Sequence, residues 1–336
     1  MDYTRLFSDQ AMVDELMDRL PELTGGDTGG LEGLDSLGVA RRATERALGS
    51  LQEGRAAEVD PGLEAIIRKF ARPAYFVQKN TFDTDGAPST SKEVDKVVDD
   101  ARAVIESSIP GVGRINLRDH LSPWVGTGWV VAPNVVVTNR HVARQFAEAE
   151  GDGFVFVEST DGRRASAELD LFREYREPSQ SLFRMREVLW IEPQKAFHHD
   201  VAFLGIDPAG QDGEAQPSPL RLMTEDEYDG LEPGRWVGVI GYPAFDTRND
   251  RLDQQRIFDG VFDVKRLQPG QITLLRTSEG TVQHDATTLG GNSGSVVVDL
   301  TSGAAAGLHY SGLEGENNYA VAAPVVTGLL RDKLGI

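Results

Sequence analysis

The sequence predicts a mainly β protein with a helical region at its N-terminal end. Before Pro110, apolar residues recur at the 3.6-residue spacing of amphipathic helices. After it, short β-branched and aromatic runs alternate with Gly, Pro, Asn and Asp, as is typical of a sandwich or a barrel. The length of 336 residues favours two domains. We place the helical region at residues 1–108 and the β domain at residues 109–336.

The N-terminal region is predicted to form four helices and one extended segment. The third helix begins at Asp60-Pro61, where the carboxylate is the N-cap and proline occupies the first helical position, and it ends before Pro73. Residues 74–78 follow as an extended segment. The other helices are predicted over residues 8–22, 36–52 and 89–108, and the apolar stripes of the first and the last of these are expected to pack on the core.

Strands are predicted wherever apolar residues cluster after Pro110. A charged segment from Glu174 to Glu187 is expected to be a solvated loop, and the apolar stretch from Val325 to Leu334 is expected to be a terminal helix. The predicted strands include residues 128–131, 135–137, 154–157, 201–204, 236–240, 272–275 and 296–298.

The composition disfavours several functions and locations. With 34 basic and 53 acidic residues the formal net charge is −19, which repels nucleic acid backbones and anionic lipid surfaces. The absence of cysteine excludes disulfides, thiolate nucleophiles and cysteine metal sites. The first residues lack the features of a signal peptide, and no stretch approaches the roughly 20 apolar residues of a membrane span. We therefore expect a cytoplasmic protein without nucleic acid or membrane partners.

Three segments carry residues that are capable of catalysis, each beside an apolar strand. They are TNRHVA around His141, HDVAFL around Asp200 and GGNSGS around Ser293. Taken singly, a histidine after a strand is more often a packed residue, an aspartate before a strand a turn residue, and a glycine-rich segment a loop. Together they supply a base, an orienting carboxylate and a hydroxyl nucleophile in the order His, Asp, Ser.

These three segments, in this order, resemble the catalytic blocks of the chymotrypsin-like serine peptidases. The resemblance covers roughly residues 111–336 and implies two six-stranded antiparallel β-barrels behind the helical extension. It also implies that His141 is the general base, that Asp200 orients it and that Ser293 is the nucleophile of an acyl-enzyme mechanism. The oxyanion hole would consist of the backbone N–H groups of Gly291 and Ser293. No metal or organic cofactor is needed for this chemistry.

Three other aspartates are also candidates for the orienting carboxylate. Asp161, Asp170 and Asp207 also lie between the histidine and serine segments, but Asp200 alone leads directly into an apolar strand. The adjacent His198 and His199 suggest a metal site, yet no second cluster at ligand spacing accompanies them. We therefore predict that both histidines are loop residues.

Details of the segments are similar to the bacterial glutamyl-endopeptidase (V8-like) and HtrA-like branches of this family. Val142 follows the histidine where the animal enzymes have a cysteine, and Asn292 precedes the serine where they usually have an aspartate. Because the chain ends soon after the segment that resembles the closing strand, we expect no PDZ domain.

The resemblance also implies a primary specificity pocket at Thr288, His309, Ser311 and Gly312. In glutamyl endopeptidases, a histidine in the corresponding strand and a threonine shortly before the nucleophile receive an acidic P1 side chain. His309 and Thr288 match these positions, so cleavage after Glu is predicted. The alternative is a partly buried histidine on an ordinary strand. No buried carboxylate that would bind Arg or Lys is expected near Thr287 and Thr288.

The predicted function is that of a serine endopeptidase acting on proteins or peptides. The alternatives are a catalytically silent peptide-binding module on the same fold and a hydrolase that acts on esters. The chain retains all three predicted catalytic residues and Gly291 of the oxyanion hole, which favours an enzyme. The region 1–108 is either a regulatory or adaptor segment that binds a protein partner or a helical layer that packs on the barrel.

Overall fold

The computed structural model describes residues 12, 14–16, 18, 19, 61–84, 90–159, 162–194, 199–312 and 318–336. Within these residues the chain forms two closed six-stranded antiparallel β-barrels, which confirms the predicted fold class. The largest apolar core packs the N-terminal helices against both barrels. No helix of the described part is long and apolar enough to span a bilayer.

The described part of the N-terminal region consists of three helices and a short β-hairpin. Residues Met12 and Leu16 lie in a further helical stretch and are buried, in agreement with the helix predicted over 8–22. The helix predicted over 36–52 lies outside the described residues. The elements are α1 (Pro61–Ala71), β1 (Tyr75–Gln78), β2 (Thr81–Phe82), α2 (Lys92–Asp100) and α3 (Arg102–Ser108).

Two of the predicted N-terminal elements are confirmed and one is wrong in detail. Helix α1 ends before Pro73, and strand β1 follows it. The single helix predicted over 89–108 is interrupted at Ala101, where φ is −94° and ψ is 5°. Val98 before the break and Ile105 after it are both fully buried. The apolar stripe therefore continues across the break, and periodicity could not reveal a single non-helical residue.

The first barrel has the strand order β10-β5-β4-β3-β8-β9. A short helix follows β5, and the hairpin β6-β7 stands outside the barrel. The elements of this half are β3 (Val112–Arg118), β4 (Trp124–Ala132), β5 (Val135–Thr138), α4 (Arg140–Ala143), β6 (Ala147–Glu150), β7 (Gly153–Phe156), β8 (Ser166–Asp170), β9 (Leu182–Ile191) and β10 (Ala202–Ile206).

The solvated loop predicted from Glu174 to Glu187 is wrong. Glu174 is buried, and strand β9 begins at Leu182. Along β9, the apolar side chains of Phe183 and Met185 are buried, while the alternating Arg184 and Arg186 are exposed. Alternate residues of a strand point to opposite faces, so a half-charged segment still supplies a barrel with an apolar inner face.

The second barrel has the order β11-β14-β15-β16-β13-β12 and is closed by pairing of β11 with β12. Strand β1 of the N-terminal region adds to it, pairing antiparallel with β12 so that Tyr75 lies opposite Leu267. The apolar C-terminal stretch is helical, as predicted. The elements are α5 (Glu225–Asp229), β11 (Trp236–Gly241), α6 (Arg251–Ile257), β12 (Arg266–Arg276), β13 (Thr281–His284), β14 (Val296–Asp299), β15 (Ala305–Gly312), β16 (Asn318–Ala322) and α7 (Ala323–Leu329).

A buried lysine joins the three parts of the structure. Lys265 immediately precedes β12, and its Nζ donates to the carbonyl oxygens of Ile109 (3.2 Å) and Leu171 (2.7 Å) and to Glu174 Oε1 (3.3 Å). Glu174 also accepts from the backbone N–H of Asn80 in the N-terminal hairpin (3.0 Å). The pair therefore ties the N-terminal region, the first barrel and the second barrel together.

Candidate active site

His141 is positioned by the turn from β5 into α4. Asn139 adopts an extended conformation (φ −78°, ψ 149°) at the N-cap of the helix, and Val142 is buried in the first-barrel core. The side chain of Asn139 donates to the carbonyl oxygen of Asp200 (3.0 Å). The histidine and aspartate segments, 59 residues apart in sequence, are thus held side by side while the imidazole remains accessible.

Asp200 contacts His141 through both of its carboxylate oxygens. The backbone N–H of His141 donates to Oδ1 (2.9 Å), and Nδ1 of the imidazole lies 2.5 Å from Oδ2. An ionised carboxylate only accepts hydrogen bonds, so Nδ1 carries the proton and Nε2 is left with its lone pair. This tautomer is the one that can act as a base toward a hydroxyl group.

Ser293 lies in a tight loop between β13 and β14. The loop depends on glycine at two positions, because Gly291 and Gly294 have φ of 83° and 89°. The loop is clamped from both sides: the Thr127 N–H donates to the Ser293 carbonyl oxygen (2.9 Å), and the Gly294 N–H donates to the carbonyl oxygen of His309 (2.9 Å). The serine is thereby fixed relative to both barrels.

The amides of Gly291 and Ser293, predicted to form the oxyanion hole, have no acceptor among the described residues. By contrast, the intervening Asn292 N–H donates to the Leu289 carbonyl oxygen (3.2 Å). Two unpaired N–H groups beside a candidate nucleophile are suited to receive a developing oxyanion.

A single cleft of about 980 Å³ brings most of the predicted site residues together. His141 and Ser293 both line it, and Asp200 contacts the imidazole from behind. The four predicted pocket residues, Thr288, His309, Ser311 and Gly312, line the same cleft. The N-terminal region also contributes to the lining, through Glu64, Ala65 and Arg68 of α1.

His309 is buried and paired with a second histidine that sequence reasoning missed. Its Nδ1 lies 3.2 Å from Nε2 of His284, on the neighbouring part of the second barrel. Burial lowers the pKa of His284 to about 4. Burial, together with the nearby His284 and His141, also lowers the pKa of His309 well below its usual value. Both imidazoles are therefore neutral at neutral pH.

Thr288 is held by a polar contact at the edge of the pocket. Its hydroxyl donates to Asn318 Oδ1 (2.6 Å), and the Asn318 amide donates to the carbonyl oxygen of Ala286 (2.7 Å). Asn318 also borders Gly312 closely, since a Cβ at that glycine would lie 2.1 Å from Asn318 Oδ1. The pocket wall is consequently fixed by side chains of β16.

A largely buried carboxylate does lie near Thr287 and Thr288, but it is already paired with an arginine of this chain. Asp285 lines the cleft, and its carboxylate accepts two hydrogen bonds from Arg72, from Nε and from Nη2, both at 2.8 Å. Burial raises the pKa of Asp285, but the charge and hydrogen bonds of Arg72 outweigh this, and the pKa lies below its usual value. No motif marks Arg72, because it lies 213 residues from its partner.

Two of the alternative aspartates lie away from this site. Asp170 is fully buried in the first barrel, and Asp207 lies 3.4 Å from Arg186 in a surface ion pair. Asp161 and His198 lie outside the described residues. Throughout the described ranges, no group of three or more His, Asp or Glu side chains is arranged to hold a metal ion.

Comparison with known proteins gives three findings. A family model described as "Trypsin-like peptidase domain" matches residues 126–308, more than half of the chain. A protein from Lysobacter enzymogenes named as a probable serine protease is 29% identical over 282 residues, which is 76% of this chain and 71% of that protein. Two solved structures of the M. tuberculosis protease Rv3671c in inactive form are 19% identical with TM-scores of 0.42. They cover 69% and 68% of this chain and 90% and 92% of their own.

Proposed function

Because this chain belongs to the trypsin-like peptidase family and is a serine-type peptidase, we propose that it cleaves peptide bonds through an acyl-enzyme on Ser293. The observation that carries the proposal is the 2.5 Å contact between His141 Nδ1 and Asp200, with His141 and Ser293 lining one cleft. Proteins or peptides are the substrates that the family implies.

In the proposed reaction, Nε2 of His141 accepts the hydroxyl proton as Ser293 Oγ attacks the scissile carbonyl carbon. Asp200 accepts the hydrogen bond from Nδ1–H and stabilises the imidazolium that forms. The N–H groups of Gly291 and Ser293 donate to the oxyanion of the tetrahedral intermediate. His141 then donates its proton to the leaving amine, and water hydrolyses the ester in a second, equivalent cycle.

We further propose that the peptidase prefers Glu at P1, as in the V8-like branch. His309 and Thr288 line the cleft that contains Ser293, and His309 Nδ1 contacts His284. If His284 Nε2–H donates to His309 Nδ1, the proton of His309 lies on Nε2 and can donate to a P1 carboxylate. A substrate carboxylate would select this tautomer and raise the affinity of the histidine for a second proton.

Labelling with a fluorophosphonate tests the nucleophile. We expect one adduct by intact mass on the wild-type chain and none on Ser293→Ala. Ser107→Ala serves as the control, since this exposed serine of α3 lies outside the lining of the cleft, and the variant should still be labelled. Absence of an adduct on the wild type would contradict the proposal and favour the silent peptide-binding module.

Matched peptides that differ only in P1 test the specificity. We expect a higher kcat/KM for Glu than for Gln or Leu, and loss of this preference in His309→Gln. His120→Gln is the control, because this histidine contacts the Gln145 carbonyl oxygen and lies outside the lining of the cleft. Equal rates for Glu and Leu in the wild type would contradict the P1 proposal while leaving the peptidase proposal intact.

The boundary at residue 108, a regulatory partner for residues 1–108 and the cytoplasmic location stay predictions.

A further inference from the structure

The cleft that contains the proposed P1 site also contains a charge of the wrong sign for an acidic ligand. Asp285 directly follows His284, whose ring contacts His309, and it is one of the residues that line this cleft. Two carboxylates in one poorly solvated site repel each other, and the repulsion raises the cost of binding an acidic side chain. A cleft that accepts Glu therefore needs a cation to balance Asp285.

Arg72, at the end of α1, provides that cation from outside the two barrels. Its side chain is 2% exposed and forms the bidentate geometry in which a guanidinium binds carboxylate most strongly. Nη2 also reaches Gln271 Oε1 (3.4 Å), and the guanidinium lies 4.9 Å from the ring centroid of Trp236. These contacts fix the arginine on β11 and β12, so its charge is held at Asp285.

The other carboxylates in the lining of the cleft are engaged differently. Glu64 pairs with Arg68 on the same helix (2.6 Å), and Asp246 pairs with Arg248 two residues away (2.5 Å). Asp250 accepts from two backbone N–H groups at the start of α6, and Asp253 pairs with Arg256 three residues further on (3.4 Å). These are local contacts, whereas the Arg72–Asp285 pair joins the N-terminal region to strand β13 and the histidine pair.

We infer that Arg72 is a positioning residue for substrate selection: by balancing the charge of Asp285, the N-terminal region allows the cleft to accept an acidic P1 side chain. This inference rests on the proposed function. It assigns residues 61–84 a part in specificity, in addition to the packing that the fold already shows.

The test is the ratio of kcat/KM for two peptides that differ only in Glu or Gln at P1. Arg72→Met leaves Asp285 unbalanced, and we expect the Glu-to-Gln ratio to fall about tenfold, as for one unit charge acting over about 10 Å at an effective dielectric constant near 20. Asp285→Asn leaves Arg72 unbalanced, so the ratio should rise. The double variant should return to within about threefold of the wild type.

Opposite shifts in the two single variants separate this role from a purely structural one. A loss of packing would lower the turnover of both peptides, and it would not shift the Glu-to-Gln ratio in opposite directions in the two variants. Arg72→Lys keeps the charge and should retain most of the wild-type ratio. Arg102→Met is the matched control, because it removes an arginine that pairs with Asp99 and Glu106 of the N-terminal helices, away from the cleft. Its ratio should not change.

The two proposals fail in different ways. A wild-type ratio of one or less contradicts the preference for Glu, whereas the shifts between variants measure the influence of Arg72 whatever the wild-type value. Shifts below twofold, or shifts of the same sign in Arg72→Met and Asp285→Asn, would overturn the inference. If Arg72→Met does not fold, Asp285→Asn and the double variant still show the direction in which the charge of Arg72 shifts the Glu-to-Gln ratio. Fluorophosphonate labelling normalises each rate to the fraction of active protein.

Discussion

Replacing Lys265 by methionine should destabilise the protein strongly, because it removes the cation that joins its three parts. Lys265 is fully buried, and the side chain of Glu174 is 1% exposed. The substitution conserves much of the volume of the side chain but leaves the Glu174 carboxylate without its counter-charge. It also leaves the carbonyl oxygens of Ile109 and Leu171 without their donor.

The magnitude follows from these contacts. Breaking a buried ion pair by removing one partner costs about 3–5 kcal/mol, since the remaining charge stays desolvated. Glu174 keeps the hydrogen bond from the Asn80 N–H, which compensates only in part. We therefore expect Lys265→Met to lower the free energy of unfolding by about 4 kcal/mol. In the double variant with Glu174→Gln the buried charge is gone, and the loss should shrink to about 1–2 kcal/mol.

Urea denaturation followed by tryptophan fluorescence measures both values, from the shift of the midpoint at constant m. Lys96→Met is the control, because its ion pair with Asp100 is largely exposed and its loss should leave the midpoint unchanged. A loss below 1 kcal/mol for Lys265→Met would refute the reasoning. So would a double variant that is less stable than the single one.

Three further predictions concern the site. Asp200→Asn should lower kcat about 10⁴-fold through the wrong tautomer of His141, with KM little changed; steady-state kinetics check this, and an unchanged kcat would contradict it. Gly294→Ala should lower kcat/KM about 100-fold, because its Cβ would lie 2.0 Å from the Thr127 carbonyl oxygen at φ +89° and would displace the serine loop; wild-type rates would contradict this. The pKa of His284 is lowered from 6.5 to about 4, so the unfolded chain binds a proton that the folded chain does not. The free energy of unfolding should therefore fall by about 3 kcal/mol as the pH drops from 6.5 to about 4, and His284→Gln should abolish this part of the pH dependence. Equal losses of stability to urea at pH 4.5 in the wild type and in His284→Gln would contradict the prediction.

The fold class and the site segments could be predicted because their signals are local. The segments around His141, Asp200 and Ser293 each combine a functional residue with an adjacent apolar strand, and strand patterns extend over a few residues. The same locality explains the errors. The segment from Glu174 to Glu187 is predicted as a loop from its charge, although Phe183 and Met185 of β9 face the core. The break at Ala101 is hidden by a continuous apolar stripe.

The position of the N-terminal region depended on contacts that no local pattern reveals. Strand β1 is recognisable as extended, but its pairing with β12 joins residues 192 positions apart, Tyr75 and Leu267. The pairing of Arg72 with Asp285 spans 213 residues. Neither partner is unusual in its own segment, so the addition of this region to the second barrel and its contribution to the cleft were missed.

By itself, the sequence determined the helical character of the N-terminal region and the mainly β character of the rest, the two-barrel class through the resemblance of its three motifs, and the types of residue available for nucleophilic catalysis. Only the tertiary structure decided which polar groups became partners: Asp200 with His141, His284 with His309, Arg72 with Asp285, and Lys265 with Glu174. The reason is physical. Periodicity and turn chemistry act over a few neighbouring residues, whereas a buried charge must find its partner wherever the packed chain brings one within hydrogen-bond distance.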